Sequence, residues 1–311
     1  MNEHMAVELR HLRYFVTVAE EGHITRAAER LGMQQPPLSQ LIKGIERDLK
    51  VQLFRRKPRG VELTAAGHAL FDDARTILDR LGQAFEKTQR AARGEQGQIR
   101  VGISGTGIYH PFVPKVIRGF REAYPLVSVT LVEGLSNELM DQLRNERVDA
   151  IFIRSPPADQ TGLVVEKLLE EPMVLALPTW HPLARRYRTK AIPLEALADE
   201  TFIATVAPVT LTGTGARAAA YARYRQAGFN LRTGQQVPRT RSAISFVAAG
   251  LGITFVPASL QRLRIDGVTY RRLQGAAQMA AALVLVSRRG DPSPVVRQFA
   301  ALVRNSAKKE E

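Results

Sequence analysis

The sequence predicts an α+β protein of several domains: an N-terminal winged helix-turn-helix, a long linker helix and a two-lobed α/β domain. Apolar residues recur at helical spacing from Leu9 to about Gly94. After Thr64 about 28 residues run without proline, and from Ile99 onward strand and helix patterns alternate. At roughly 100–200 residues per domain, a chain of 311 residues has room for two or three domains.

The composition excludes several classes of protein. A hydrophobic fraction of 45% is ordinary for a chain that buries cores, and the absence of cysteine rules out disulfide scaffolds, thiol catalysis and cysteine-ligated metal sites. No apolar run reaches about 18 residues and Met1–Arg10 is polar, so we expect a cytoplasmic protein with neither a membrane span nor a signal peptide. The formal net charge of +14 suggests a polyanionic partner such as nucleic acid.

Three short helices are predicted at the N-terminus. The first buries one apolar stripe at helical spacing: Leu9, Leu12, Phe15, Val16 and Ala19. Gly22 ends this helix, and a second helix at 25–31 ends at Gly32. A third begins near Pro36–Pro37, since proline is tolerated in a first turn, and runs to about Leu49. Two short helices joined by a tight glycine-containing turn form a helix-turn-helix.

A hairpin and a long helix follow. Two extended pieces within 53–63 flank a Pro/Gly turn that carries four cations, which predicts a β-hairpin wing. Thr64 is a plausible N-cap for a helix at 65–93. That helix has an apolar stripe formed by Leu70, Ala74, Ile77, Leu81 and Ala84. The stripe either packs on its own domain or pairs two chains, and we favour pairing because the preceding segment is too small to cover it.

The rest of the chain is predicted to be α/β. A polar linker at 91–98 leads to strands that begin at Ile99, Val127 and Asp149. Helices are predicted between and after these strands, at 112–123 and 136–145. Further strands and helices are predicted at 174–177, 201–204, 215–227, 241–249 and 252–257. The alternation predicts a parallel sheet with right-handed crossovers, divided into two lobes between which the chain crosses more than once.

Several segments carry a resemblance to a known family. They are Leu9–Gly22, Ala27–Leu31, Gln35–Lys43, Leu53–Arg56 and Leu63–Gly67, followed by Phe120–Pro125, Arg147–Ala150 and Val247–Pro257. In order and spacing they resemble the LysR-type transcriptional regulators over almost the whole chain. Within that family, the spacing is most similar to that of members that control aromatic degradation and carbon fixation. Two features depart from the family: Gln34 replaces the usual N-cap serine, and the extended N-terminus makes Met5 an alternative initiator to Met1.

The resemblance implies an organisation and a set of partners. The expected domains are a winged helix-turn-helix at 1–64, a dimerisation helix at 65–93 and an effector-binding domain at 94–311, similar to periplasmic binding proteins. Lobe I takes about 99–155 and part of 241–311, and lobe II takes part of 156–240. The implied protein is a transcriptional regulator, an activator or alternatively a repressor, that forms a homodimer through the linker helix and a homotetramer. It binds double-stranded DNA and a small effector, and it contacts RNA polymerase.

The candidate DNA-binding residues lie on the third helix and the wing. A recognition helix presents its first turns to the major groove, where glutamine bonds adenine and lysine bonds guanine or phosphate. Wing arginines suit a narrow minor groove. The candidates are Gln34, Gln35, Pro36, Pro37, Ser39, Gln40 and Lys43 on the helix, and Arg55, Arg56, Lys57 and Arg59 on the wing. The alternative for the helix residues is a solvated helix face without a partner. The alternative for Arg55 and Arg56 is an ion pair with Glu46 or Asp48.

Charge supports this placement. Within residues 35–59 seven cations face two anions, so a local surplus sits on the recognition helix and the wing. A dimer presents two such surfaces, which predicts a pseudo-palindromic operator.

The candidate effector site lies where the lobes meet. Loops at the carboxyl ends of strands bind ligands, and glycine N–H groups there hold anions. The candidates are Thr106, Gly107, Ser136, Asn137, Arg154, Thr205 and Thr214. These residues suit a small organic acid as co-inducer. We expect no resident cofactor and no metal. Each hydroxyl is alternatively an N-cap, Ser136 above all. Some relatives place a proline and an aromatic residue where Thr214–Ala216 lies here, so we expect a different pocket.

An enzyme and an exported solute receptor are the rival interpretations. The glycines at 102, 105 and 107 lack the G-x-G-x-x-G spacing, and no phosphate-loop, nucleophile-elbow or H-E-x-x-H motif occurs. The six histidines are scattered, and of these His110 lies nearest the predicted cleft loop. We therefore predict no catalytic residues. The two lobes are compatible with a solute-binding receptor, but the N-terminal helix-turn-helix and the missing signal peptide argue against export.

Overall fold

The computed structural model describes residues 7–205, 232–274 and 280–310. The chain divides into two compact units, with the boundary between Arg90 and Ala91. The predicted helix at 215–227 and the candidate Thr214 lie outside the described residues, as do both candidate start residues.

The first unit contains the predicted helices and hairpin. Its elements are α1 (Leu9–Glu21), α2 (Ile24–Arg30), α3 (Gln35–Leu49), β1 (Phe54–Lys57), β2 (Gly60–Leu63) and α4 (Ala65–Arg93), of which α4 extends into the second unit. Phe15, Leu38 and Leu53 are fully buried at its centre. The prediction for Leu9 is wrong, because this residue is 46% exposed. Side chains of a first turn point back past the helix start, so the buried stripe begins one turn later, at Leu12.

The turns of this unit follow the sequence signals. Gly22 ends α1 with a left-handed φ of +59°. Its carbonyl accepts a hydrogen bond from Val61 N at 2.9 Å, which attaches the wing to the end of α1. The predicted cap of α4 is confirmed, since Thr64 Oγ1 accepts a hydrogen bond from Gly67 N at 3.0 Å.

The described part of the second unit contains one seven-stranded mixed sheet and a separate two-stranded sheet. Its strands are β3 (Gln96–Ser104), β4 (Leu126–Gly134), β5 (Ala150–Ile153), β6 (Leu163–Pro178), β7 (Thr201–Thr205), β8 (Arg232–Val237), β9 (Thr254–Pro257), β10 (Val268–Arg272) and β11 (Ala280–Arg288). Its helices, besides the end of α4, are α5 (Phe112–Ala123), α6 (Ser136–Arg144), α7 (Pro182–Arg186), α8 (Thr240–Ala248) and α9 (Pro294–Ala307). The order in the main sheet is β10-β6-β11-β5-β3-β4, with β9 also paired to β6.

The predicted parallel sheet is only partly right. Strand β3 runs parallel to β4 and β5, and β7 runs parallel to β8. Strand β11 is antiparallel to both β5 and β6. The reason is connectivity: β6 carries the chain into the second lobe and β11 brings it back, so the two crossing strands run in opposite directions.

Each lobe has its own core. In lobe I, α5 and α9 pack on one face of the sheet around Phe120, Phe152 and Phe299, and α6 packs on the other face. In lobe II, the second half of β6 pairs with β9 and β10, and Phe202 and Phe255 are fully buried. The crossing strands place the ends of β3 and β5 beside lobe II.

The predicted linker at 91–98 is wrong. Helix α4 continues to Arg93, Gly94 ends it with a φ of +72°, and β3 begins at Gln96. A Cβ on Gly94 would lie 2.6 Å from the carbonyl carbon of Pro294, so this backbone packs directly on the start of α9. Gln298 Nε2 donates to the carbonyl of Arg93 at 3.2 Å. The polar composition of the segment reflects an exposed helix end, not a free linker.

Asp149 fixes the start of β5. Its carboxylate accepts hydrogen bonds from Arg100 N at 2.8 Å and from the Arg100 guanidinium at 3.0 Å, and Arg288 Nη2 lies 3.4 Å away. Burial acts to raise the pKa of Asp149, but the hydrogen bonds from both arginines outweigh it and hold the pKa below its ordinary value. The ionised carboxylate therefore stabilises the folded unit above about pH 4, and that contribution is lost as pH falls through the folded-state pKa.

We expect Asp149→Asn to flatten the acid dependence of stability. The chain has one tryptophan, Trp180, in the second unit, so its fluorescence reports urea unfolding there. The variant should be less stable than wild type at about pH 6, and the difference should shrink towards about pH 3. A difference that stays constant over this range would contradict the assignment.

Candidate functional site

Helix α3 presents a polar face from its first residue. Gln34 is its N-cap in extended conformation, and no side-chain capping bond is formed there. Among the candidates, Ser39 is half-buried and Gln34, Gln35, Pro36, Pro37, Gln40 and Lys43 are exposed. The opposite face buries Leu38, Ile42 and Ile45 in the core. A helix held by one apolar face presents the other face to a partner.

The prolines change what the helix start offers. A helix start exposes four backbone N–H groups, and Pro36 and Pro37 lack two of them. A phosphate at this terminus would therefore have only the N–H groups of Gln34 and Gln35 as backbone donors, so side chains would carry more of the interaction.

Sequence reasoning missed Arg47 on the same face of α3. Its side chain is 82% exposed and lies 3.8 Å from Asp48, a loose surface contact. The signal was present, because Arg47 follows Lys43 by four residues and Gln40 by seven, which places all three on one helix face.

The wing cations form two groups. Arg55 lies opposite Glu62 in the hairpin register, and its Nη2 is 3.0 Å from Glu62 Oε2. Lys57 Nζ also contacts Glu62. In the part of the chain that the structure describes, Arg56 and Arg59 are exposed and form no ion pair with a carboxylate. The hydrogen bonds from Arg55 and then Lys57 lower the pKa of Glu62 to about 2.

The alternative partners for the wing arginines are wrong. Glu46 Oε1 accepts hydrogen bonds from the backbone N–H groups of Leu53 and Phe54, at 2.8 and 3.1 Å. The carboxylate of Asp48 lies 3.8 Å from Arg47. Glu46 therefore anchors the strand that leads into the wing, and the wing arginines point elsewhere.

Thr106, Gly107 and Arg154 come together at the ends of β3 and β5. Arg154 Nη2 donates to the carbonyl of Thr106 at 3.0 Å. Thr106 is half-buried and Gly107 is buried, in the loop that leaves β3. The same Nη2 lies 3.2 Å from the hydroxyl of Ser259, at the start of the 3₁₀ turn that follows β9. One guanidinium thus joins the loop of lobe I to lobe II.

Glu171 completes this cluster and was not anticipated from the sequence. Its Oε1 lies 2.6 Å from Arg154 Nη2, and both side chains are about nine-tenths buried. Ser259 donates to the carboxylate twice, from N at 2.5 Å and from Oγ at 2.9 Å. No distinct signal in the sequence marks it, because β6 carries three glutamates, Glu166, Glu170 and Glu171, and only the fold shows that Glu171 is the buried one.

Some polar atoms of the cluster are buried and unpaired. Nε and Nη1 of Arg154 and Oγ of Ser104 are buried with no hydrogen-bond partner in the described structure. Burial lowers the pKa of Arg154, although the charge of Glu171 opposes that shift. Burial likewise lowers the pKa of His110, which feels the charges of both Glu171 and Arg154. Unpaired buried donors mark a place that suits a hydrogen-bond acceptor.

The other effector candidates lie apart from this cluster in the chain. Ser136 and Asn137 are exposed at the start of α6. The N-cap alternative for Ser136 is wrong, because the cap is Leu135, whose N–H donates to Glu138 at 3.0 Å. Thr205 is half-buried at the end of β7 in lobe II.

Neither a metal-binding cluster nor a membrane-spanning helix is found in the described ranges. Within residues 7–205, 232–274 and 280–310, no group of three histidine, aspartate or glutamate side chains is arranged to hold a metal ion. No helix in these ranges is both long and apolar enough to cross a membrane.

Comparison with known proteins agrees with both halves of this description. Residues 9–68 match the model for the bacterial regulatory helix-turn-helix protein, lysR family, and residues 92–308 match the LysR substrate binding domain. The chain is 38% identical to the HTH-type transcriptional regulator AlsR of Bacillus subtilis (strain 168), with 94% of each protein covered. It is 36% identical to the HTH-type transcriptional regulator BudR of Raoultella terrigena, covering 94% of this chain and 99% of BudR.

A solved structure extends the similarity to three dimensions. Full-length CbnR complexed with its target DNA has a TM-score of 0.80 to this chain at 29% identity, covering 97% of this chain and 100% of CbnR. The chain belongs to the LysR family of transcriptional regulators, with an N-terminal DNA-binding domain and a C-terminal effector-binding domain.

Proposed function

We propose that this regulator binds a pseudo-palindromic operator through α3 and the wing, and that a small organic acid bound between the lobes switches it. The observation that carries the first part is the exposed polar face of α3, from Gln35 to Lys43, whose opposite face is fixed in the core. Gln34 to Lys43 supply the candidates on the helix. The wing supplies Arg55, Arg56, Lys57 and Arg59, two of which form no ion pair in the described structure.

We expect Lys43→Ala and Arg56→Ala to weaken DNA binding and to lower its salt dependence. Each lost phosphate contact reduces the slope of log K against log salt by about 0.9. If Lys43 bonds a base, its loss costs about 1–3 kcal/mol on the preferred duplex and less on random DNA. The measurement is a gel shift at several salt concentrations, with a duplex selected by the wild-type protein from a random library.

Lys190→Ala is the matched control for this experiment, because it removes an exposed charge from the second unit. Affinity and salt slope unchanged in both test variants would refute the proposed interface.

The effector proposal rests on the unpaired donors beside the Thr106 loop. Arg154 Nε and Nη1 and the hydroxyl of Ser104 offer hydrogen bonds to a buried acceptor, such as a carboxylate oxygen. The proposed effector-binding residues are Thr106, Gly107, Ser136, Asn137, Arg154, Thr205 and Thr214. Lobe closure on the acid would change the population of two conformations and thereby promoter activity.

We expect a small carboxylate to raise the melting temperature of the wild-type chain and to do so less for Thr106→Ala. A ligand present at 100 times its Kd stabilises the folded state by about 2.7 kcal/mol, which a thermal shift detects. The probes are a panel of aliphatic and aromatic carboxylates, with the corresponding amides as uncharged controls. Stabilisation by amides as strong as by acids would argue for a neutral effector.

We also propose self-association through two surfaces. On α4, Phe85 is 62% exposed and Ile77 is 43% exposed, which leaves an apolar stripe for a partner helix. On β4, the edge strand of the main sheet, Leu126 and Leu131 are more than half exposed. Pairing at α4 gives a homodimer, and pairing at the second surface gives a homotetramer. Light scattering after size exclusion distinguishes the two.

The expected location, the contact with RNA polymerase and the absence of catalysis belong to the same proposal of a transcriptional regulator. A regulator of this kind acts where the chromosome lies, which supports the cytoplasm as its location. Transcriptional activation and the absence of a resident cofactor belong to it as well. The support for these points is that the matching relatives are transcriptional regulators.

A further inference from the structure

The register of the wing sorts its cations onto two faces. Side chains alternate along a strand, so Arg55 and Lys57 share one face with Glu62 of the neighbouring strand. Arg56 lies on the other face with Phe54, whose ring is 5.3 Å from that of Phe15 in the core. The hairpin thus separates the two cations that contact Glu62 from Arg56.

Glu62 is placed to neutralise both cations on its face. Its carboxylate lies 3.0 Å from Arg55 Nη2 and also contacts Lys57, and all three side chains are solvent-accessible. In the described wing, residues 54–63, Glu62 is the one acidic residue. Its pKa of about 2 keeps it ionised at any physiological pH.

A carboxylate at this point opposes DNA binding in two ways. It occupies the donors of two cations that would otherwise reach phosphates, and it repels phosphates directly. Phosphate contacts are the same for every sequence, so each additional contact strengthens binding to any DNA. Glu62 therefore lowers the affinity for every duplex by a similar factor, while the preference among sequences is set by base contacts.

We propose that Glu62 limits the phosphate contacts of the wing: it withholds Arg55 and Lys57 from phosphates, so that Arg56 and Arg59 are the wing cations that contact DNA. The proposal rests on the proposed DNA interface and narrows its four wing cations to these two. Composition alone groups the four wing cations as one basic cluster. The hairpin register instead separates the two that pair with Glu62 from the two that contact DNA.

The test is Glu62→Gln, which keeps the size of the side chain and removes its charge. The probes are a duplex selected by the wild-type protein from a random library and a scrambled duplex of the same composition. We expect affinity for the scrambled duplex to rise by about threefold to tenfold, with a salt slope steeper by about 1–2. Affinity for the selected duplex should rise by a similar factor, so the ratio of the two affinities should stay near that of wild type.

The matched control is Glu122→Gln, which makes the same change of charge in the second unit, at an exposed carboxylate that pairs with Arg118. Its affinity for both duplexes and its salt slope should remain near those of wild type. Melting curves of both variants establish that each still folds. An unchanged affinity and slope of Glu62→Gln on scrambled DNA would overturn the proposal, as would a Glu122→Gln variant whose affinity and slope rise as much as those of Glu62→Gln.

Arg56→Ala separates this proposal from the one on which it rests. If Arg56→Ala weakens binding while Glu62→Gln changes nothing, the wing contacts DNA and the role of Glu62 is wrong. If Arg56→Ala also leaves affinity and slope unchanged, the proposed wing interface itself is wrong.

Discussion

Replacing Glu171 by leucine is expected to destabilise the second unit by about 3–5 kcal/mol. The substitution leaves the guanidinium of Arg154 about nine-tenths buried with no counter-charge, and it removes the acceptor of two hydrogen bonds from Ser259. A buried charge that loses its partner retains its desolvation cost and forfeits the attraction that offset it. Urea unfolding followed by Trp180 fluorescence measures the loss.

The double variant Arg154→Met with Glu171→Leu is the control. Apolar residues in place of both charges remove the desolvation cost of both, so stability should return to within about 1–2 kcal/mol of wild type. A double variant as unstable as the single one would mean that packing or the lost hydrogen bonds of Ser259, and not the unpaired charge, cause the loss.

The same two variants distinguish an effect on folding stability from an effect on effector binding. Arg154 bonds the carbonyl of Thr106 on one side and Ser259 of lobe II on the other. A double variant that folds but no longer gains stability from a carboxylate would show that the buried pair of Arg154 and Glu171 is needed for effector binding. This outcome differs from that of Glu171→Leu, in which folding itself is impaired.

Local signals predicted the first unit well. Helix ends at Gly22 and Gly32 and the cap at Thr64 each depend on residues within one turn, and these appear in the structure as expected. The predictions that failed concern segments whose structure depends on contacts with distant parts of the chain. Residues 91–98 look like a polar linker, yet Gly94 packs on Pro294, about 200 residues further along the chain.

The effector cluster shows why part of a site escapes sequence reasoning. Arg154 was a candidate because it follows a buried strand and carries charge. Glu171 was not, since its role depends on Ser259, 88 residues away. The pairing of β11 with β5 and β6 was missed for the same reason: periodicity predicts that a strand exists but not which strand lies beside it.

The wing depends on a close contact that one methyl group would destroy, and Gly60→Ala is therefore expected to be strongly destabilising. Gly60 has a φ of +138°, and a Cβ there would lie 2.2 Å from the carbonyl oxygen of Gly22. That oxygen already accepts the hydrogen bond from Val61 N, so it cannot move away without detaching the wing from α1. We expect a loss of at least about 3 kcal/mol in the first unit, together with weaker DNA binding.

Gly32→Ala is the matched control, because it separates backbone strain from steric conflict. Gly32 also has a positive φ, +67°, but nothing lies within 4 Å of the position that its Cβ would take. This variant should therefore lose about 1–2 kcal/mol from the left-handed conformation alone. Hydrogen exchange of peptides from α1 distinguishes them: protection should fall roughly 100-fold in Gly60→Ala and much less in Gly32→Ala, with peptides of the second unit unchanged in both. Equal losses would mean that conformational strain accounts for both, and that the contact between Gly60 and Gly22 does not hold the wing in place.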